Sequence, residues 1–276
     1  MEYEIKPHEK LRLGIKELWQ YRELFFFFTW RDIKIKYKQT LLGFAWAVLQ
    51  PVIMMFIFAG IGKMYNIPAG GLPRPVFVYA GLLLWNIFSS GVNNAGNSMV
   101  TNANIIKKIY FPRLIIPVSS VLAALFDFIM TFLVFIGILI FYIVQGKVHI
   151  NLLSFILVLP LSVFIASITT VGIGSWLASL NVKYRDFRYV IPFMVQVLFF
   201  LSPVMYPISG KHLFPGAKYV VALNPLYSSI ELFRSTFSNT TLHIYLVMIS
   251  FVSAMAFFTV GLFYFRKTEA YFADLA

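Results

Sequence analysis

The sequence predicts an all-α polytopic membrane protein: six transmembrane helices, an N-terminal amphipathic interface helix and outer re-entrant helices, with both termini cytoplasmic. Three observations predict it. Of 276 residues, 59% are hydrophobic and only 12% charged, against about 25% charged in a soluble domain. The apolar residues gather into six runs, uncharged but for Asp127 in the third, each near or above the ~20 residues a helix needs to cross the hydrocarbon core. Lys and Arg concentrate on alternate connections between those runs, the bias that orients a membrane protein.

The chain begins M-E-Y-E-I-K-P-H-E-K, without the apolar core and small-residue cleavage site of a signal peptide, so the mature protein is expected to start at Met1. Residues 1–40 are read as a cytoplasmic N-terminus. Within it Leu11, Ile15, Leu18, Trp19, Arg22, Phe25 and Phe26 fall near one helical face, which predicts an amphipathic helix from Leu11 to Thr29. It would lie in the membrane interface, pack on a cytoplasmic partner, or do both. The six spans follow within residues 41–265, at about 41–62, 76–92, 114–144, 152–180, 189–208 and 244–265, and residues 266–276 form a cytoplasmic tail. The third and fourth exceed one crossing and are expected to tilt or project.

With residues 1–40 inside, seventeen of the 23 Lys and Arg residues lie on the cytoplasmic side. Nine precede the first span. Lys107, Lys108 and Arg113 lie in the first cytoplasmic loop, Lys183, Arg185 and Arg188 in the second, and Arg266 and Lys267 in the tail. Lys63, Arg74, Lys147, Lys211, Lys218 and Arg234 fall outside. Between the last two spans, Pro207, Gly210, Pro215, Gly216 and Asn224-Pro225 cut a moderately apolar stretch into short pieces. That pattern predicts a re-entrant hairpin on the outer side, sheltered by protein or facing a water-filled cavity. A plain extracellular loop is the alternative.

The composition excludes several functions. There is no cysteine, hence no disulfide framework and no Cys-ligated metal. A net charge of +12 is accounted for by a Lys/Arg-rich cytoplasmic face, without nucleic acid. No G-x-x-x-x-G-K-[ST] phosphate loop or H-E-x-x-H motif occurs, and His8, His149, His212 and His243 are dispersed. G-I-G-S-W (Gly172–Trp176) lacks the second glycine of a nucleophile elbow and reads as a site of close helix packing. Asp127 is the only ionisable residue well inside a proposed span, either functional, paired with a neighbouring helix, or sitting near the membrane interface of the long third span. One carboxylate is thin support for proton coupling. In the first cytoplasmic loop, Asn102 and Asn104 can cap a short helix, Ile105, Ile106 and Ile109 give it an apolar side, and Pro112 ends it. Such a helix needs something to dock against, naturally a soluble cytoplasmic partner.

Those same residues carry a resemblance. N-A-N-I-I-K-K-I-Y-F-P-R (Asn102–Arg113) resembles the first cytoplasmic loop of type-2 ABC transporter permeases, in particular polysaccharide and O-antigen exporters. Y-K-Q-T-L-L-G-F-A-W-A-V-L-Q-P (Tyr37–Pro51), N-V-K-Y-R-D (Asn181–Asp186), S-P-V-M-Y-P (Ser202–Pro207) and N-P-L (Asn224–Leu226) agree with it in order, over about residues 31–265. Thr40 stands where the family has a serine, which keeps the hydroxyl.

The resemblance implies a half-transporter: two copies of the chain form the channel, and two copies of a separate ABC ATPase drive it. No catalytic residue, cofactor or metal would then belong to this chain, and ATP and Mg would be bound by the partner. It implies that Asn104, Ile105, Ile106, Lys107, Lys108, Tyr110, Phe111 and Arg113, with Lys183, Tyr184, Arg185 and Asp186 of the second loop, couple to the ATPase. It further implies an outer gate at Pro207, Asn224, Pro225, Tyr227 and Glu231, within helices between Pro207 and Arg234. The substrate implied is a lipid-linked polysaccharide exported across the bacterial inner membrane. With 30 Phe and 15 Tyr, Phe44, Trp46, Phe56, Phe193, Phe199 and Phe200 are candidates to stack on sugar faces, although rings also fill helix interfaces and interfacial belts. Arg31, Lys34, Lys36 and Lys38 could attract a pyrophosphate headgroup at the entrance, and topology alone would also place them there. Within the family a teichoic-acid or capsule exporter is the alternative. A proton-coupled flippase needs more buried ionisable groups, and a sugar transferase needs paired carboxylates that the 11 acidic residues do not supply.

Overall fold

The computed structural model describes residues 15–38, 43–207, 216–238 and 242–269. Leu11, Thr40, Lys211, the end of the fifth predicted span at Ile208 and the tail from residue 270 lie outside them. The described residues are helical: α1 (Ile15–Gln20), α2 (Arg22–Lys38), α3 (Gly43–Met64), α4 (Arg74–Thr101), α5 (Ala103–Ile106), α6 (Ile115–Val144), α7 (Leu152–Lys183), α8 (Phe187–Leu201), α9 (Ala217–Ala222), α10 (Tyr227–Ser235) and α11 (Ile244–Glu269). The breaks follow local chemistry. Asn66, Gly70 and Gly71, all at positive φ, turn the chain between α3 and α4, and Pro73 enters α4. Gly146 at φ +67° ends the next span, and Asn151 caps α7 by accepting from Ser154 N at 3.3 Å.

Five helices, α3, α4, α6, α7 and α11, are long and apolar enough to cross a membrane. The fifth predicted span differs. It is helical only over Phe187–Leu201, 15 residues or about 22 Å, short of the ~30 Å hydrocarbon core. Pro203 in S-P-V-M-Y-P carries no amide proton to continue the helix, and Ser202 is extended. The second predicted span is longer than expected, because α4 continues through Asn93, Asn94 and Asn97, whose side chains hydrogen-bond within the helix, Asn93 Nδ2 to Ser89 O at 2.7 Å and Asn97 Nδ2 to Asn93 O at 2.8 Å.

The core forms around α4, which packs on α7 and α6 and also touches α3, α8 and α10. Its apolar positions Val76, Leu83, Leu84, Ile87 and Phe88 are almost fully buried. Small residues set the α4–α7 distance: a methyl group at Gly174 would lie 2.8 Å from Ala95 Cβ, and one at Gly91 would strike the Thr170 side chain. Asn181 Nδ2 bridges the pair, donating to Gly96 O (2.9 Å) and Asn97 Oδ1 (3.1 Å). The α7–α11 contact is closer still. A Cβ at Gly172 would sit 2.5 Å from Phe258 Cα, and one at Gly261 would collide with the backbone of Gly172. Gly172 of G-I-G-S-W is thus a backbone-to-backbone contact point between helices.

The Asn181 bridge joins the C-terminal ends of α4 and α7, and Arg113 N donates to Glu269 Oε1 at 3.0 Å in the last turn of α11. Arg31 Nη1 of α2 donates to Asn102 Oδ1 at 2.7 Å. Arg31 of α2, both basic loops and the end of α11 therefore share one end of the bundle, while α9 and α10 occupy the other.

Replacing Gly172 by Leu is expected to cost about 2 kcal/mol or more through overpacking. Gly137→Ala, at an exposed helical site with open space around it, is expected to be neutral or stabilising by up to about 1 kcal/mol. Melting temperatures of the two variants in detergent check the contrast.

Candidate functional site

At the basic end, the loop from Asn102 to Arg113 is held from within and exposed at its tip. Asn102 does not cap α5 with its side chain. Instead Nδ2 donates to Ser98 O (2.7 Å) and Oδ1 accepts from Arg31, so the side chain faces back along α4. Ile106 and Phe111 are buried with Phe28 of α2, Leu114 and Phe265, and the Phe111 and Phe28 rings lie 5.6 Å apart. The helical part ends at Ile106, well before Pro112. What faces outward is Lys107, Lys108, Ile109 and Tyr110, the last two 62% and 69% exposed. Asn104 is exposed, and Ile105 and Arg113 are half-buried. In the second loop Lys183 ends α7 and Tyr184, Arg185 and Asp186 make the turn to α8; all four are exposed, with Lys183 Nζ 5.0 Å from the Tyr184 ring.

The N-terminal helix differs from a single amphipathic face. It breaks at Tyr21 into α1 and α2 and runs on to Lys38. Leu18, Tyr21, Leu24, Phe25 and Phe28 pack on the chain's own core, whereas Trp19, Phe26, Phe27 and Trp30 are exposed. Neighbours such as Phe25 and Phe26 sit about 100° apart around a helix, so the aromatic run serves two surfaces. The entrance cations divide likewise. Arg31 is engaged: besides Asn102 it pairs with Asp32 (Nη2–Oδ1 2.7 Å) and lies 4.8 Å over the Phe28 ring. Lys36 forms a salt bridge to Asp127, which also accepts from Tyr37 Oη and from Ser90 Oγ at 3.4 Å. Burial, and then the Asp127 carboxylate, push the Tyr37 hydroxyl pKa upward, so it remains a donor. Lys34 and Lys38 are exposed. Asp127 is thus part of an α2–α4–α6 polar junction, the paired alternative allowed by the sequence.

Between α3, α4 and α8 runs a cleft of about 370 Å³. From α4 it receives Trp85, Asn86, Ser89 and Asn93; from α3, Gln50 and Phe58; from α8, Gln196, Phe199 and Phe200. The rings of Trp85 and Phe199 meet edge to face at 5.2 Å, and Phe58 and Phe199 lie 5.4 Å apart. Phe199 and Phe200 are the sequence-nominated rings that line this cleft. Trp46, Phe56 and Phe193 are exposed elsewhere on α3 and α8, and the Phe44 side chain lies outside what the structure describes. Sequence reasoning missed Gln50, Asn86, Ser89, Asn93 and Gln196. The recurrence of Asn86, Ser89 and Asn93 at helical spacing within an apolar span is the signal that marks them.

At the opposite end, Arg234 of α10 is 2% exposed. Its guanidinium donates to Phe77 O (2.9 and 3.2 Å), Pro203 O (2.6 Å) and Val204 O (2.7 Å), and stacks 3.6 Å over the Phe77 ring. Glu231 lies 3.6 Å away. Gly81 leaves the space this requires, since a Cβ there would be 2.5 Å from Nη2. Asn224 Nδ2 donates to Ser202 Oγ at 2.8 Å, joining the S-P-V and N-P-L stretches, and its carbonyl accepts from Ser250 Oγ of α11 at 2.7 Å. Pro207, Pro225 and Tyr227 are buried and Glu231 is half-buried.

A family model described as ABC-2 type transporter matches residues 23–238. The chain is 30% identical over 247 residues to an O-antigen export system permease protein, RfbA, of Klebsiella pneumoniae, covering 89% of this chain and 92% of that protein. To the O-antigen export system permease protein RfbA of Myxococcus xanthus it is 28% identical over 227 residues, 81% and 83% of the two chains. To the polysialic acid transport protein KpsM of Escherichia coli it is 28% identical over 208 residues, 74% and 77%.

Replacing Arg234 by Met, of similar reach, is expected to leave Glu231 uncompensated and three carbonyl groups without their donor, at about 3–5 kcal/mol. Arg234→Lys should recover only part of this, because one ammonium cannot reproduce the planar fork. Thermal unfolding of both variants in detergent checks the order wild type, Lys, Met.

Proposed function

We propose that this chain, which belongs to the ABC-2 type transporter family, is the membrane-spanning permease of an ATP-driven exporter that carries a polyprenyl-linked polysaccharide of O-antigen type outward across the bacterial inner membrane. The observation that carries the reading is the exposed Lys107–Tyr110 tip, supported from behind by α2 and set at the basic end of a bundle whose relatives export polysaccharide. A loop exposed at its tip and rigid at its base can receive a push from a soluble subunit and pass it into α4 through Asn102. In this reading Asn104, Lys107, Lys108, Ile109 and Tyr110, with Lys183–Asp186, face a separate ABC ATPase that binds ATP and Mg, while Ile106 and Phe111 anchor the loop. Two copies of the chain and two ATPase subunits make the working unit.

The basic end is the cytoplasmic one, and α8 with Ser202–Pro207 makes a sixth crossing. Two features support this. The second basic loop and the end of α11 share one end of the bundle, so the chain between them must go out and return. Val204 also lies against Gly81, seven residues or about 10 Å below the start of α4, so the segment reaches membrane depth. By the same argument α9 and α10 are re-entrant and close the outer side, with Pro207, Asn224, Pro225, Tyr227 and Glu231 as its gate. Capsule polysaccharide is the second reading, favoured by the 28% identity to KpsM.

Lys107→Glu together with Lys108→Glu is expected to release the ATPase while leaving the permease in the membrane at normal level. Co-purification in mild detergent and immunodetection of surface polysaccharide check this, and normal surface polysaccharide in the double variant would refute the assignment of the loop.

A further inference from the structure

The cleft between α3, α4 and α8 brings together side chains of a particular kind. Gln50, Asn86 and Gln196 reach it from three different helices, and Asn86 stands twelve residues into α4, near its middle. No hydrogen bond of their side chains to other described residues is found, unlike Asn93, Asn97, Asn102, Asn181 and Asn224, which are all bonded within the chain. An amide facing lipid without a partner is costly, because hydrocarbon offers it neither donor nor acceptor. Three such amides converging from separate spans therefore face a polar occupant. Beside them, exposed Phe200 and half-buried Phe199 supply flat apolar surface, with Trp85 buried directly behind Phe199. The volume of about 370 Å³ lies within the ~300–1,000 Å³ common to small-ligand sites.

The charge of the lining selects among polymers. Among the described residues, no Lys, Arg, Asp or Glu lines the cleft. A carboxylate or phosphate on the polymer would enter at membrane depth with no counter-ion, a desolvation penalty of several kcal/mol per charge. A neutral sugar presents hydroxyl groups that both donate and accept, as an amide does, and C–H faces that lie flat on rings. We propose that this cleft contacts uncharged sugar units of the exported polymer, and that the chain thereby handles a neutral glycan in preference to a polyanion. The inference rests on the polysaccharide-exporter reading and narrows its substrate class.

The test uses the full chain, purified with the subunits it retains and held in lipid nanodiscs. Two probes of equal length are titrated, a neutral mannose oligosaccharide and oligosialic acid, and tryptophan fluorescence is followed. The neutral probe is expected to change the emission, the change is lost in Trp85→Phe, and oligosialic acid binds at least about tenfold more weakly. Asn86→Leu and Gln196→Leu are each expected to weaken the neutral probe by about tenfold, one lost hydrogen bond, with melting temperatures confirming that the variants fold. Equal or tighter binding of oligosialic acid, wild-type affinity in both Leu variants, or no binding of the neutral probe overturns the proposal. Surface polysaccharide in cells deleted for the chain separates the two levels. If it persists, the exporter reading itself fails. If it disappears while the binding results go against the cleft, only the neutral-glycan inference is lost.

Discussion

The contact between α4 and α7 is the interaction on which the other elements depend. Lipid is as apolar as leucine, so helices inside a bilayer gain little from burying apolar surface against each other and associate by close packing and hydrogen bonds. Gly91, Ala95, Gly174 and Thr170 allow the two backbones to approach, and Asn181 locks them with two hydrogen bonds at the basic end. Both helices then have fixed positions against which α6, α10 and α11 can pack. Gly172 and Gly261 repeat the device one helix further out.

The two ends are secured by different chemistry. At the basic end, surfaces of opposite polarity interlock: Arg31 ties α2 to Asn102, Lys36 and Tyr37 tie it to Asp127, and Phe28 stacks near Phe111. Helix α2 is therefore fastened to α4 and α6, the two helices that flank the exposed loop. At the far end, one guanidinium holds together the start of α4, the Pro203–Val204 turn and α10. Arg234 supplies the donors that carbonyls at a broken helix end lack, which is how irregular backbone is tolerated at membrane depth. The elements at this end are short, and Asn224 and Ser250 add bonds to Ser202 and α11 beside those of Arg234.

Much of the fold was legible from composition alone. Mean apolarity and the spacing of Lys and Arg mark a membrane protein and its five long apolar helices, α3, α6, α7 and α11 within a few residues and α4 at its start only, because a crossing helix needs a minimum apolar length. G-I-G-S-W was readable as a packing site, since small residues in a span have few other uses. The exposed tip at Lys107–Tyr110 was readable because charge cannot be hidden cheaply. The fifth span, the extension of α4 and the fate of Arg234 were not. A one-dimensional hydropathy reading treats each residue as facing lipid or water, and these three facts concern residues that face other protein.

What the sequence by itself determined is thus the solvent: which segments tolerate hydrocarbon, which end is basic, and which family's ordered motifs it carries, since each of these is a property of residues taken in order. The tertiary structure decided which of those residues are spent on holding the fold and which remain available. It assigned Arg31, Lys36 and Arg234, three apparently similar cations, to internal bonds, and left Lys34, Lys107 and Lys108 outward. It also brought Gln50, Asn86 and Gln196 to one cleft from positions up to 146 residues apart. The physical reason is that a hydrogen bond or a close helix contact is a relation between two segments, and its partner is fixed only when the helices have packed.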